Sequence, residues 1–329
     1  QGIFVLDNKD NLISSELKKL KFDQPIIKKV YEQTNIETTI PIIPEPLKTN
    51  LSNNFLQNSD KKFFTKNEEL QKVFNALQTT SKTLGINFNT DTGIEIKLNK
   101  IKMKKDEYKI IINSQYIQIY SNDYGGSFYA LISILQLAEY YLGNLPIGEI
   151  QDRPKFNWRG MHLDCSRQFH SIDQIKRLLV YMSLFKLNRF HWHLTDNEAW
   201  RLDLECFPNL ANKSSFRGYK EIIPPLYGTG YFKSGGYYSK DDVKKLINFA
   251  KNLNIEIMPE IDLPAHSWAL LQIMPELYDH SSNLKTEDIG NYTNNTINPA
   301  LSSTWNFIEK IIQEISDLFS YNVIHVGLD

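Results

Sequence analysis

The chain has 329 residues with 37 basic and 38 acidic side chains, which give a formal net charge of -1. This balance provides no global field for a polyanion or an anionic membrane, so nucleic acid is an unfavourable partner. The hydrophobic fraction of 41% and the aromatic fraction of 12% are typical of a folded protein, and the length fits two domains. No run of about 18 apolar residues occurs, so no transmembrane segment is predicted.

The N-terminal part of the chain predicts an extension followed by a helix. Residues 1–38 have no clean hydrophobic period, and we treat them as an extension of uncertain structure. Apolar residues then recur at helical spacing over 70–77, and Gly85 is placed to end that helix.

Alternating apolar and polar residues next predict three strands, over 94–98, 108–112 and 116–120. The last two are expected to form a hairpin. Gly125 and Gly126 are expected to open an apolar helix over 127–142. Strands flanked by helices predict an α+β domain over residues 39–151.

From residue 152 the pattern changes to alternating strands and helices. Strands are predicted over 156–165, 188–194, 255–261 and 323–328, and helices over 172–185, 243–253 and 305–319. Strands that alternate with helices and end in polar residues are typical of an α/β (β/α)₈ TIM barrel, whose chemistry lies at the C-terminal ends of the strands. A complete barrel needs eight strands. We therefore expect residues 152–329 to form the first four βα units of a catalytic barrel.

Polar side chains accumulate at the ends of all four predicted strands. They are Arg159, His162, Asp164, His191, His193, Asp196, Glu260, Asp262, His266, His325 and Asp329. One or two such residues arise by chance, because polar side chains often cap turns. Their presence on four successive strands predicts an active site.

Four sequence motifs in this region resemble the successive strand motifs of family 20 glycoside hydrolases, the β-N-acetylhexosaminidases. In order and spacing they are WRGMHLDCSR (158–167), HWHLTD (191–196) followed by Trp200-Arg201, PEIDLPAH (259–266) and HVGLD (325–329). The region before them resembles the non-catalytic α+β domain of that family, so the likeness covers residues 39 to 329.

The chain departs from the family pattern at three positions. Ala265 stands where the family usually has glycine, and Leu328 where it often has a second one. Both changes are expected to be tolerated. The family motif also continues from Asp to a Glu that acts as general acid, whereas this sequence ends at Asp329. The 329-residue polypeptide by itself is therefore expected to be inactive.

The resemblance implies hydrolysis of terminal, non-reducing β-linked N-acetylglucosamine or N-acetylgalactosamine from glycans with retention of configuration. The substrate's own 2-acetamido group is the nucleophile and forms an oxazolinium. By resemblance, Asp329 orients the acetamide and stabilises its developing charge, and Arg159 holds the hydroxyls of the terminal sugar. Asp196 and His266 match residues that neighbour the general acid and tune its proton.

The remaining positions have more general expectations. Glu260 and Asp262 either bind sugar or buttress the site, and His162 and His325 are expected to be buried core histidines. No cofactor or metal is expected. The implied partners are N-acetylhexosamine-terminated glycans or chitooligosaccharides, and the implied location is a secreted, periplasmic or lysosome-like compartment.

Two other hypotheses stay open at this stage. His191 and His193 place two imidazoles on one side of a strand, as in metal-dependent barrel hydrolases, and His266, His325 and Asp329 could complete such a site. Against it, the pair lies on the second barrel strand, and the surrounding motif is that of the hexosaminidases. The third hypothesis is a non-catalytic fragment.

Overall fold

A computed structural model describes residues 40–88, 92–278, 292 and 294–328. The predicted extension over residues 1–38 lies outside this part of the chain. Residues 41–329 form one compact unit, which contains both of the large sheets. Among the described residues, no helix combines the length and apolar character needed to cross a membrane.

The first large sheet has six strands in the spatial order β1-β6-β4-β5-β3-β2. Its strands are β1 (Lys48–Leu56), β2 (Phe63–Phe64), β3 (Ile94–Lys100), β4 (Tyr108–Ile112), β5 (Tyr116–Ser121) and β6 (Leu145–Asp152). β4 and β5 pair antiparallel, as the hairpin prediction required. Alternate residues of β4 are buried, which explains why the hydrophobic period identified this strand.

Three helices accompany this sheet: α1 (Glu68–Ala76), α2 (Gln78–Thr83) and α3 (Tyr124–Tyr140). α3 starts three residues earlier than predicted, because Asp123 caps it by accepting a hydrogen bond from the Gly126 amide. Gly126 therefore lies inside the first turn. A Cβ at this position would lie 2.4 Å from the Glu107 carbonyl oxygen, so the glycine permits close packing of the helix.

The second large sheet contains four parallel strands in the order β13-β12-β8-β7, with the short β9 paired to β8. The strands are β7 (Gly160–Asp164), β8 (Arg189–Asp196), β9 (Ala199–Trp200), β12 (Glu256–Leu263) and β13 (His325–Gly327), and the short pair β10 (Phe216–Arg217) and β11 (Ser234–Gly235) lies between β9 and β12 in sequence. β7 is shorter than predicted. Phe156 and Trp158 precede it as exposed residues of an irregular segment.

The helices that connect these strands follow the barrel pattern. They are α4 (Ile172–Leu184), α5 (Leu210–Ser214), α6 (Lys240–Asn252), α7 (Trp268–Leu271), a 3₁₀ turn (Pro275–Leu277) and α8 (Ser302–Leu318). α4 begins at a capping box of Ser171 and Gln174. The predicted α/β class is confirmed: helices and parallel strands alternate along four strands of a barrel sheet, and an α+β region precedes them.

A buried lysine joins the two sheets. Lys186 follows α4, yet its ammonium donates to the Tyr108 hydroxyl (2.8 Å) and to the Asp152 carboxylate (3.2 Å), both on the first sheet. Burial lowers the pKa of Lys186, and the Asp152 charge opposes that shift. The ammonium is thus a charged link between β4, β6 and the barrel region.

Replacing Lys186 with alanine is expected to lower the free energy of unfolding by about 3–5 kcal/mol, because it leaves the buried Asp152 carboxylate without its charged partner. Denaturant unfolding measures the change. Lys176→Ala is the matched control: its ammonium lies 3.7 Å from Asp173 at an exposed site, and its loss should cost less than about 1 kcal/mol. Equal effects of the two substitutions would contradict a stabilising role for the buried pair.

Candidate active site

The register of the parallel strands aligns polar residues in one row across the second sheet. Asp164 of β7 lies beside His193 of β8, His193 beside Glu260 of β12, and Glu260 beside His325 of β13. His162 and His191 form a neighbouring pair two residues earlier. Since parallel strands end at the same edge, the predicted strand-end residues meet at one face of the sheet.

Glu260 is the centre of a histidine cluster in this row. Its Oε2 accepts a hydrogen bond from His193 Nδ1 at 2.7 Å, and His191 Nε2 lies 2.7 Å from the same oxygen. His325 Nδ1 lies 2.9 Å from Oε1. Burial raises the pKa of Glu260, but contacts with His191 and His193 outweigh it and hold the pKa well below its usual range. These surroundings favour the buttressing alternative for Glu260 over direct sugar binding.

His162 and His325 were expected to be buried core histidines inside a complete barrel, and for that barrel the expectation stays a prediction. Their side chains are 49% and 43% exposed. The four described strands leave the inner face of the sheet open, so residues near its middle remain accessible to solvent.

Asp196 is a buried carboxylate with four partners at the site. Its side chain is 1% exposed. Its Oδ2 accepts a hydrogen bond from His193 Nε2 (2.9 Å) and pairs with Arg167 Nη2 (2.7 Å). Its Oδ1 lies 2.9 Å from His266 Nδ1 and accepts a hydrogen bond from the Asn197 amide (2.6 Å). Burial raises the pKa of Asp196, and the donors from His193 and Arg167 lower it below its usual range. Asp196 and His266, which were both predicted to neighbour the general acid, are therefore in direct contact with each other.

Arg167 lies just beyond the C-terminal end of β7. Its guanidinium is held by Asp164 (2.9 Å) and Asp196 (2.7 Å), and its Nε lies 3.7 Å from Glu198 Oε2. The side chain is still 42% exposed. A fork of donors that carboxylates orient and solvent reaches is suited to binding vicinal hydroxyls.

The structure does not bring Arg159 to this cluster. Arg159 precedes β7 at the opposite end of the strand, and its guanidinium donates to the carbonyls of Lys186 (2.7 Å) and Phe156 (2.8 Å) and to the Tyr129 hydroxyl (2.7 Å). It therefore joins the barrel region to α3. The N-terminal ends of barrel strands serve stability rather than chemistry. Strand direction identifies Arg167, which the same motif contains, as the arginine on the catalytic face.

Asp262 is buried beside the end of β13. Its backbone amide donates to Thr195 Oγ1 at 2.9 Å. A Cβ on Gly327, which has a φ of 68°, would lie 1.7 Å from Asp262 Oδ1, so glycine lets β13 pass against this carboxylate. Leu328 follows and is exposed, and its φ of 75° lies in the left-handed region that favours glycine, so its tolerance stays a prediction. Asp329 lies outside the described residues.

The hydrogen bonds of His193 argue against this histidine as a metal ligand, while two clusters without it, His162–His191–Glu260 and Asp196–Asp262–His266, keep a geometry that could hold a metal ion. An ionised carboxylate only accepts hydrogen bonds, so His193 must donate from Nδ1 to Glu260 and from Nε2 to Asp196. Burial lowers the pKa of His193, but these two bonds raise it overall from 6.5 to about 10. A doubly protonated imidazole has no lone pair for a metal ion.

Comparisons with known proteins agree with this geometry. The model of "Glycosyl hydrolase family 20, domain 2" matches residues 39–153, and that of "Glycosyl hydrolase family 20, catalytic domain" matches residues 156–329. The chain is 35% identical over 225 residues to a β-hexosaminidase of Vibrio furnissii, which covers 68% of this chain and 37% of the relative. It is 31% identical over 275 residues to the N,N'-diacetylchitobiase of Vibrio harveyi, with coverages of 74% and 31%.

A solved structure of a family 20 enzyme also matches this chain. The exo-β-N-acetylglucosaminidase of Vibrio harveyi, in complex with N-acetylglucosamine, aligns with a TM-score of 0.80 at 30% identity over 90% of this chain and 48% of that one. The barrel strands and the carboxylates at their C-terminal ends are thus similar to those of glycoside hydrolases. Within that class, the chain belongs to glycosyl hydrolase family 20. It spans less than half the length of these relatives.

Besides Arg167, two residues at the site had no role in the sequence interpretation. Glu198 is 2% exposed, and its Oε1 accepts from the Tyr227 hydroxyl at 2.8 Å. Burial and the nearby Asp196 charge raise the pKa of Glu198. Its place two residues after Asp196 was a usable signal, because the segment after a barrel strand lies on the catalytic face. No sequence signal linked Tyr227 to this position.

The His193–Glu260 pair is expected to make its full contribution to the stability of the protein between pH 4.5 and 6.5. The raised pKa of His193 contributes stability that is complete below its unfolded value of 6.5 and is lost as pH rises toward about 10. The lowered pKa of Glu260 contributes stability that is complete above 4.5 and is lost as pH falls.

Urea unfolding of the protein and of His193→Asn, from about pH 4 to about pH 10, measures this dependence. In His193→Asn, the free energy of unfolding should no longer decline as pH rises above the unfolded pKa of histidine. His170→Gln, whose residue lies outside the cluster, is the control and should retain this decline. An unchanged alkaline slope in His193→Asn would show that His193 is not the group responsible.

Proposed function

We propose that the protein releases terminal, β-linked N-acetylglucosamine or N-acetylgalactosamine from glycans, with retention of configuration. The observation that carries this proposal is the contact of Asp196 with Arg167, His193 and His266 at the C-terminal face of the barrel strands. The names of the relatives support the substrate class: one is an N,N'-diacetylchitobiase, and the aligned solved structure contains N-acetylglucosamine.

The proposed reaction is substrate-assisted. The acetamido carbonyl oxygen attacks C1 and forms the oxazolinium while the bond from C1 to the leaving oxygen breaks. The leaving oxygen takes a proton from a general acid, which the family resemblance places directly after Asp329. Water then opens the oxazolinium at C1 from the face that the leaving group occupied, so the configuration is retained.

Each protein residue has a proposed part in this reaction. Asp329 orients the acetamide and stabilises the charge that develops on its nitrogen. Asp196 and His266, which are 2.9 Å apart, tune the proton of the general acid. Arg167 replaces Arg159 as the residue that holds the hydroxyls of the terminal sugar, and Glu260 keeps its histidine neighbours in place.

The dependence on the acetamido group tests the mechanism. The full-length protein, with the general acid expected after Asp329, should hydrolyse an aryl 2-acetamido-2-deoxy-β-glucoside far faster than the matching aryl β-glucoside, because only the first carries its own nucleophile. Release of the aryl alcohol measures both rates, and NMR of the first-formed sugar reports its anomeric configuration. Comparable rates on the two substrates, or an inverted product, would refute the substrate-assisted mechanism.

Substitution of Arg167 should weaken ligand binding, whereas substitution of Arg159 should lower the stability of the protein. Arg167→Ala is expected to weaken the binding of N-acetylglucosamine roughly tenfold or more, because hydrogen bonds to a charged donor are lost. Arg159→Ala should leave this affinity unchanged and lower the melting temperature, because its guanidinium bonds two backbone carbonyls and Tyr129. Calorimetric titration and thermal unfolding measure the two effects. The reverse pattern would return the sugar-binding role to Arg159.

A further inference from the structure

Two buried arginines lie behind the segment that carries Arg167. Arg201 follows β9 and is fully buried, and Arg217 lies on β10 and is 2% exposed. Within the described part of the chain, every hydrogen bond of these two guanidiniums goes to a main-chain carbonyl. The reaction proposed above gives neither of them a chemical role.

Both guanidiniums bind the backbone directly after β7. Arg201 donates from Nε to the Cys165 carbonyl (2.9 Å) and from Nη2 to the Ser166 carbonyl (2.8 Å). Arg217 donates from Nη2 to the carbonyls of Ser166 (3.1 Å) and Arg167 (2.6 Å). Three successive carbonyls, the last of them that of Arg167 itself, therefore have charged donors.

The other side of the Arg201 guanidinium binds the base of the hairpin that β10 and β11 form. Its Nη1 donates to the carbonyls of Ser215 and Gly236 (3.0 Å). Gly235 permits this close approach: it has a φ of 124°, and a Cβ on it would lie 2.3 Å from the Ser215 carbonyl oxygen. One planar group thus links the segment after β7 to both ends of the hairpin.

The amides of the segment after β7 are bound as well. Asp164 Oδ1 accepts from the amides of Ser166 and Arg167, both at 2.9 Å, while Oδ2 accepts from the Arg167 guanidinium at 2.9 Å. The Cys165 amide donates to the His193 carbonyl at 3.0 Å. Because amides and carbonyls are both bound, the backbone of Arg167 is fixed, although its side chain is 42% exposed.

Stability alone is a poor explanation for two desolvated guanidiniums side by side. Burial and the charge of Arg217 lower the pKa of Arg201 to about 10, and burial lowers the pKa of Arg217. Buried ionic groups can often be replaced by apolar side chains without loss of stability. Rigid placement of a ligand-binding group is a stronger reason to retain them, because such a group must be held within roughly 0.5 Å of its productive position.

We propose that Arg201 and Arg217 are positioning residues for Arg167, which hold its backbone so that its guanidinium meets the hydroxyls of the terminal sugar. This inference rests on the proposed function, in which Arg167 binds those hydroxyls. A planar guanidinium directs its five donors in fixed directions and so spans carbonyls of different segments, whereas the donors of a lysine ammonium start from one point. Positive charge without this geometry does not position Arg167.

Substitutions that conserve the charge test the inference in the full-length protein. Arg201→Lys and Arg217→Lys should each weaken the binding of N-acetylglucosamine roughly fivefold, because Arg167 is displaced. KM for an aryl 2-acetamido-2-deoxy-β-glucoside should rise with little change in kcat, because the hydroxyls are bound in the ground state and the transition state alike. Calorimetric titration and initial rates measure these effects.

Arg159→Ala is the matched control for the lysine variants. Its guanidinium also binds main-chain carbonyls, but at the opposite end of β7. Thermal unfolding should show that Arg159→Ala is destabilised, while its affinity and KM stay unchanged. Arg217→Lys loses only two hydrogen bonds, so it keeps the test available if the fully buried Arg201 does not tolerate replacement.

A double-mutant cycle separates positioning from general damage to the site. Once the Arg167 side chain is removed, its placement no longer matters. The double variant of Arg167→Ala and Arg217→Lys should therefore bind N-acetylglucosamine as weakly as Arg167→Ala alone. Additive losses of affinity in the double variant, or normal affinity in the lysine variants, would overturn the inference.

Arg167→Ala by itself reports on the proposed function. If its affinity for N-acetylglucosamine were unchanged, the proposed role of Arg167 would fail, and the inference with it. If Arg167→Ala weakened binding while the lysine variants bound normally, the role of Arg167 would stand and only the positioning by Arg201 and Arg217 would be refuted.

Discussion

The desolvated carboxylate of Asp196 is the constraint on which the site depends. Removing a carboxylate from water costs several kcal/mol unless charged and hydrogen-bonding partners replace the water. The partners come from three places in the sequence: Arg167 after β7, His193 on β8 and His266 after β12. Satisfying one buried charge therefore fixes the relative positions of three strand ends, which is what a preorganised catalytic site requires.

The two histidines that contact Asp196 differ in their exposure, their hydrogen bonds and their backbone conformation. His193 donates to carboxylates on both sides and is 6% exposed, so it remains a fixed positive charge. His266 is 20% exposed and has a φ of 52°, a left-handed backbone conformation that few non-glycine residues adopt. Backbone strain of this kind persists where the surrounding structure enforces it, often at functional sites. The surrounding structure thus holds His266 against Asp196, in the position proposed for tuning the general acid.

Local patterns in the sequence predicted the elements well and the side-chain network poorly. The alternation over 108–112 and 116–120 reports burial of one sheet face, which acts residue by residue, so the hairpin was predictable. The contact of Glu260 with histidines on β8 and β13 depends on strand register, which no single segment encodes. The motif alone also did not separate two arginines. Arg159 and Arg167 share one motif but lie at opposite ends of β7, so the direction of the strand decides which of them reaches the catalytic face.

The charges around Arg167 fit the neutral, hydroxyl-bearing ligand proposed above. Asp164, Asp196 and Glu198 surround the guanidinium, and Asp196 and Glu198 are almost fully buried. Burial and the nearby Asp196 charge raise the pKa of Glu198, because each disfavours its charged form. With its charge already balanced, Arg167 offers donors without a strong demand for an anion. A neutral polyhydroxylated ring satisfies such donors, whereas a phosphate or carboxylate ligand would meet the repulsion of the surrounding carboxylates.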